Sequence, residues 1–274
     1  MRALRGRWWD AALALWYAGV VLFLFAPIVV ALVYSFNTGV VNKQTATWTG
    51  FTWAWFPAAW HDLSLRRAVW QSVVVACWTA AISLLMGSAL GYALARHPSR
   101  AARRALAGLT YALLIVPESV IGVSLLLFYA ETGIPLSMAT LIAGITPLTL
   151  AVVALIVRAR VLTLDRRIEE AAADLGSPRL TTLRLIVLPQ MLPAMLAGGV
   201  MAYAFAFDNL VVATFLTTPR VNTLPVYLYG SLQYGPSPAV YAAASAVFLF
   251  TLALLGIAAL IHRSSRRPFL SRGR

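Results

Sequence analysis

Two of the nine acidic residues in this sequence, Glu118 and Asp208, fall well inside long apolar stretches. A charged side chain at a bilayer centre costs about 2.5–3.5 kcal/mol on insertion scales, so such a residue usually faces a bundle interior or a wet cavity. With Asn209 beside Asp208, the two carboxylates are placed to line a path for a cation, each accepting one amine of a linear polycation in turn. A second reading needs no cargo. Glu118 follows Pro117, which frees a backbone carbonyl that a protonated Glu118 could bond. Asp208 and Asn209 could likewise cap a helix break. No Ser/His/Asp or Cys/His grouping is arranged for catalysis, so the chain reads as a non-enzyme. His61, His97 and His262 stand far apart, with no Cys or carboxylate at ligand spacing, and no metal site is expected. Cys77, the single cysteine, sits in an apolar run and reads as a packing thiol.

The elements that must position these acids are helices in a membrane. Of 274 residues, 61% are hydrophobic and 11% charged, where a soluble domain carries about a quarter charged. Spanning a bilayer takes about 20 consecutive apolar residues. Six windows qualify, at about 11–34, 68–95, 106–130, 136–157, 191–216 and 239–261. The fold class is therefore all-α, a polytopic membrane protein with six transmembrane helices in a single transmembrane domain over 1–274. The first window follows Arg2, Arg5 and Arg7, but its apolar run exceeds the 7–15 residues of a cleavable signal, so it reads as an uncleaved anchor. Within the second, Gly87 and Gly91 form a G-x-x-x-G that permits close helix packing. Glu118 stands near the middle of the third window. Asp208 lies about five residues past the middle of the fifth, roughly one helical turn further out.

The net charge of +13 could imply nucleic acid or anionic lipid, and its distribution decides. The N-terminus carries three Arg. The second-to-third connection carries Arg96, Arg100, Arg103 and Arg104, and the fourth-to-fifth carries Arg158, Arg160, Arg166, Arg167, Arg179 and Arg184. The tail adds Arg263, Arg266, Arg267, Arg272 and Arg274, leaving only Lys43, Arg66, Arg67 and Arg220 on the other side. By the positive-inside rule both termini are cytoplasmic, and the charge is a topology signal with membrane lipid, not nucleic acid, as its partner. The loop after the first window then lies outside. Its Trp48, Trp53, Trp55 and Trp60 read as interfacial anchors, with an external partner as a secondary role.

The fourth-to-fifth connection, 158–190, is unlike the rest. Residues 169–175 are strong helix formers, and Gly176 fits the left-handed position just past a helix end. Ser177 reads as an N-cap and Pro178 as the first residue of a second helix, running to about Val187. Pro189 and Pro193 mark the start of the fifth span. This is a sharp helical hairpin between two spans. It could be a surface-lying loop, or a corner that docks into a groove on a partner.

Glu170-Ala171-Ala172, then Gly176, then Ile186-Val187-Leu188-Pro189 resembles the E-A-A-x3-G-x9-I-x-L-P signature of permease subunits of binding-protein-dependent ABC importers, with every fixed position matched. Residues 116–128 (VPESVIGVSLLLF) and 204–238 (AFAFDNLVVATFLTTPRVNTLPVYLYGSLQYGPSP) resemble spermidine/putrescine-type permeases in the same order. The resemblance implies that the hairpin is a coupling helix seated on an ABC ATPase. Glu169, Glu170, Ala171, Ala172, Gly176, Ile186, Leu188 and Pro189 would form the coupling site, and Glu118, Asp208 and Asn209 the substrate path. It also implies a second homologous permease, an external solute-binding protein and an inner-membrane location. The chain has no G-x-x-x-x-G-K-[ST] loop, so ATP and Mg belong to the partner ATPase and this chain carries no cofactor. The expected cargo is a small cation such as a polyamine. Iron, thiamine or another small solute remains the nearest alternative. An ATP-independent channel or proton-coupled carrier using Glu118 and Asp208 is a remoter one, and a cargo-free scaffold the last.

Overall fold

The structure, a computed structural model, describes residues 2–40, 47–233 and 237–249. Lys43, His262 and the tail arginines lie outside the described residues, as does the sixth expected span beyond Leu249. The described chain is all-α. Extended pairing is limited to two isolated bridges, Asn37 with Phe51 and Thr218 with Val221.

Twelve helices are described. They are α1 (Arg2–Tyr34), α2 (Trp55–His61), α3 (Leu63–Arg96), α4 (Arg100–Ile115), α5 (Glu118–Thr132), α6 (Met138–Thr163), α7 (Arg166–Asp174), α8 (Arg179–Thr182), α9 (Leu188–Phe207), α10 (Val211–Leu216), α11 (Leu224–Gln233) and α12 (Pro238–Leu249). A π turn, Leu183–Val187, joins α8 to α9. Four stretches are long and apolar enough to cross a bilayer: Ala12–Tyr34, Leu63–Arg96, Met138–Thr163 and Arg179–Phe207. Counting α4 and α5 as one broken span makes five among the described residues.

Two of the expected spans are corrected. The third is not one rod, because α4 and α5 meet at 97°. Pro117 has no N–H to donate, and its ring drives the preceding residue out of the helical region. Val116 accordingly takes ψ 127° and Pro117 ψ 133°, so one helix ends and another begins. The fifth span starts earlier and stops sooner than 191–216. Helix runs from Arg179 to Phe207, then breaks over 208–210 before the short α10.

The chain divides into two compact units. In the first, residues 1–65 and 228–274, α1 leads into a knot of side chains around Asn37, which is fully buried. Its Oδ1 accepts from the Thr49 backbone N–H at 2.8 Å and the Thr49 hydroxyl at 2.9 Å, and its carbonyl accepts from the Trp55 indole at 2.9 Å. Phe36, Phe51, Trp53 and Phe56 pack around this knot with ring centroids 4.7 to 5.8 Å apart. Trp48, Trp53 and Trp60 remain exposed.

The second unit, residues 66–227, has α6 as its spine. One core gathers Leu141 and Ile145 of α6 with Val75 and Ala76 of α3, Tyr129 of α5, Ala206 of α9, and Val212, Ala213 and Leu216 of α10. The other gathers Val153, Val157 and Val161 of α6 with Ala95 of α3, Val187 of the π turn, and Met191 and Ala202 of α9. Gly87 and Gly91 bring α3 against α6 as the G-x-x-x-G pattern implies. A Cβ on Gly91 would stand 2.6 Å from the Ala154 carbonyl oxygen, and one on Gly87 2.8 Å from that of Leu150. One core thus underlies the α9–α10 break and the other the root of the hairpin.

Candidate functional site

The hairpin corner is built as a Schellman turn. Asp165 caps α7 through its carboxylate, which accepts from the Arg167 N–H at 3.0 Å. At the far end Gly176 takes φ 78°. Its N–H bonds the Ala173 carbonyl and that of Ser177 bonds Ala172, both at 2.9 Å, which satisfies carbonyls the helix end would otherwise leave open.

The second arm differs from expectation. Ser177 makes no capping bond, and its hydroxyl oxygen instead accepts from the Thr182 hydroxyl at 3.1 Å. Pro178, extended at ψ 148°, is the cap residue, and α8 starts at Arg179. The helix also runs past Pro189. In the π turn the Leu188 N–H reaches back five residues to the Leu183 carbonyl, and this looser ladder precedes the proline that an α ladder would exclude. The Gln190 side chain takes the Ile186 carbonyl at 2.9 Å, and the Arg160 guanidinium donates to the Gln190 carbonyl at 3.1 Å. The second arm is therefore the first part of a membrane helix.

The eight hairpin residues separate into facing groups. Glu169 points inward: its Oε1 accepts from Arg96 Nε at 2.9 Å and its Oε2 from the Tyr92 hydroxyl at 3.4 Å. Glu170 points outward, 60% exposed, with only the Arg166 guanidinium one turn back at 3.0 Å. Ala172 is buried while Ala171 is exposed; Ile186 is half-buried, and Leu188 and Pro189 are exposed. Leu175 and Leu180 flank the corner at 90% and 75% exposure. Arg96 and Tyr92 are the residues that sequence reasoning passed over. Arg96 counted only as a topology charge, and no spacing rule links positions 73 apart in the chain.

The intramembrane acids lie on broken helices. Glu118 is the first residue of α5, beside the 97° bend, where a carboxylate suits the positive end of the helix dipole. Glu118 Oε2 accepts from Asn209 Nδ2 at 2.9 Å. Asp208 is the C-cap of α9, exposed, and its carboxylate has no hydrogen-bond or ion-pair partner among the described residues. Asn209 is buried, and its Oδ1 accepts from the Ala213 N–H at 3.3 Å, tying α10 to the same amide. The structure thus gathers all three residues at one break. No group of three or more His, Cys, Asp or Glu able to hold a metal occurs among the described residues.

Comparison with known proteins shows the family and the fold. Residues 87–267 match the family described as "Binding-protein-dependent transport system inner membrane component". The chain is 31% identical over 245 residues to the spermidine/putrescine transport system permease protein PotC of Escherichia coli (strain K12), covering 89% of this chain and 91% of that one. It is 31% identical over 231 residues to the putrescine transport system permease protein PotI of the same organism, covering 82% and 81%. Among solved structures, a bacterial ABC transporter involved in the import of the acidic polysaccharide alginate shares the fold. Its TM-score is 0.71 at 15% identity, over 94% of this chain and 96% of the other. The MetNI methionine ABC transporter shares it with a TM-score of 0.61 at 19% identity, over 77% and 99%. The chain belongs to the binding-protein-dependent transport system inner membrane components, and is a permease subunit of an ABC importer.

Proposed function

We propose that this permease carries a small organic polycation, a polyamine, across the inner membrane. The observation that carries the reading is the convergence of Glu118, Asn209 and Asp208 at the α9–α10 break. An amide holds one carboxylate in place and a second acid stands open beside it. The similarity to PotC and PotI along most of the chain supports the same cargo class. An ammonium at the break would meet Asp208 first and the Glu118 carboxylate behind it.

The hairpin is the ATPase contact. Glu170, Gly176 and the exposed Leu175 and Leu180 present the docking surface, while Ala171, Ile186, Leu188 and Pro189 complete the loop. ATP and Mg are held by the ATPase, and this chain is a non-catalytic subunit. A second, homologous permease completes the pathway, an external solute-binding protein delivers cargo, and both termini are cytoplasmic.

Reconstituting the whole transporter in liposomes and measuring ATP-dependent uptake of labelled spermidine, putrescine, iron and thiamine tests the reading. Polyamine uptake that falls with Glu118→Gln and Asp208→Asn is expected. Uptake of iron or thiamine alone, or polyamine uptake indifferent to both substitutions, would sink it.

A further inference from the structure

We infer that Arg96 is a positioning residue for coupling, and that α3 is the rod through which movement of the hairpin reaches the acid site. The inference rests on the hairpin being the ATPase contact.

Arg96 is the last residue of α3. Its Nη2 donates to the Leu164 carbonyl and its Nε to Glu169 Oε1, both at 2.9 Å. Leu164 is the C-cap of α6, and Glu169 lies in the first turn of α7. One guanidinium therefore holds the end of one helix and the start of the next, and so sets the angle at which the hairpin leaves the bundle. The planar fork of Arg suits such double bonding, and an ammonium would not reproduce it. The ion pair is sheltered, with side chains 14% and 18% exposed, and the Tyr92 hydroxyl closes the second carboxylate oxygen. Little else pins α7 down, since Ala172 is its only buried residue.

The other end of the same rod grips the segment that follows the acids. Gln71 Nε2 donates to the Arg220 carbonyl and Gln71 Oε1 accepts from the Asn222 N–H, each at 2.8 Å. Ser72 Oγ accepts from the Leu224 N–H at 2.7 Å. Between these ends Val75 and Ala76 share one core with Ala206, Val212 and Ala213, which stand on either side of Asp208 in the chain. The Gly87 and Gly91 contacts hold the middle of α3 on α6. From Gln71 to Arg96 is about 37 Å of unbroken helix. A stiff helix clamped at both ends is a contiguous packed element joining the two sites, the kind of element that carries coupling over such a distance.

The test uses the complete transporter, purified with its partner subunits and reconstituted in liposomes, with labelled spermidine as probe. The readout is spermidine taken up per ATP hydrolysed, measured beside the amount of ATPase that stays bound. Arg96→Gln is expected to lower uptake per ATP about tenfold, with the ATPase still bound, and Arg96→Lys to recover only part of it. In a Cys77→Ser background, Arg96→Cys with Glu169→Cys is expected to be uncoupled. Joining the two thiols with a reducible bis-thiosulfonate linker should restore coupling, and reduction should abolish it again in the same sample. A wild-type ratio in Arg96→Gln would overturn the inference. If that variant does not accumulate, the linked cysteine pair decides, and a ratio indifferent to linking and reduction would also overturn it. Glu170→Arg, on the outward face, separates the two readings. If it leaves coupling intact, the hairpin is not the ATPase contact. If it uncouples while Arg96→Gln does not, only the rod fails.

Discussion

The hairpin and the α9–α10 break each present a pair of acids, and each holds one member while leaving the other open. At the hairpin a cation from another helix does the holding, since Arg96 meets the charge of Glu169 and Tyr92 takes the remaining oxygen. At the break the holder is neutral: the Asn209 amide orients Glu118 without cancelling its charge. Glu170 is exposed beside Arg166, whereas Asp208 has no such cation among the described residues. At the hairpin each acid of the pair thus has a cation beside it, the inner one serving position. At the break no cation pairs with either carboxylate among the described residues, and a charge at a bilayer centre costs about 2.5–3.5 kcal/mol. On the proposed function, a passing cation offsets that penalty, and a fixed one would block the way. The same residue types serve a joint in one place and a vacancy in the other, and the neighbour decides which.

The largest effect is expected where both regions lose their common scaffold. In Gly91→Val the new Cβ would meet the Ala154 carbonyl at 2.6 Å and Val157 Cβ at 2.9 Å, all backbone or stiff side chain. Overpacking costs about 1–3 kcal/mol, and more where the atoms met are backbone that cannot give way. The variant should barely accumulate, and its thermal midpoint in detergent should fall well below wild type. A normal melt would mean that α3 and α6 do not touch as described.

Neutralising the held acid in each region tests the comparison directly. Glu169→Gln removes the charge that Arg96 needs and should cost about 2 kcal/mol of stability, because a sheltered cation is left without its counterion. Glu118→Gln keeps an oxygen for the Asn209 amide and should cost about 1 kcal/mol or less. The order reverses for transport at the break. Glu118→Gln and Asp208→Asn should each reduce polyamine uptake about tenfold, with Asp208→Asn melting like wild type, since its carboxylate touches nothing described. Melting curves paired with uptake rates check this. Equal stability losses for Glu169→Gln and Glu118→Gln would erase the distinction between joint and vacancy.

The open acid of the hairpin should matter less to the fold than either held one. Glu170 and Arg166 form an exposed pair one turn apart, and such pairs contribute about 0.3–0.5 kcal/mol. Glu170→Gln should therefore melt with wild type while weakening retention of the ATPase on purification. Unchanged retention would move the docking surface away from this face.

Much of this arrangement was legible in the chain itself. Apolar windows marked the helices, and the Gly176 corner followed from turn chemistry, because Cβ sterics act over four or five residues. What the windows could not see were breaks in the backbone ladder. Pro117 ends a helix, while Pro147 and Pro193 sit inside helices that continue. A proline inside a membrane helix is tolerated where neighbouring groups satisfy the backbone it frees, which an apolar window does not read. The same limit applies to the acids. Hydropathy put Glu118 and Asp208 in separate spans a helical turn apart, and only the bend at Pro117 and the break after Phe207 bring Glu118 against Asn209. Arg96 was hidden for a related reason: a charge at a span end reads as topology until its partner, 73 residues on, is in view.

A small effect on this chain alone is expected at Gly176, and there the smallness is informative. Its φ of 78° strains any L side chain by about 1–2 kcal/mol, least for Asn, which tolerates the left-handed region. No atom lies within 4 Å of a Cβ built there, so nothing in this chain adds a clash to that strain. Gly176→Asn should then melt within a degree or two of wild type and Gly176→Ala slightly lower, a difference scanning calorimetry in detergent can resolve. Retention of the ATPase should respond in another order. If the corner seats in a cleft, side-chain volume rather than φ preference sets the penalty, and Gly176→Leu should lose far more ATPase than Gly176→Ala while melting no lower. If retention tracks the melting order instead, the corner serves only to turn the chain, and the contact surface belongs to Glu170 and its neighbours on α7.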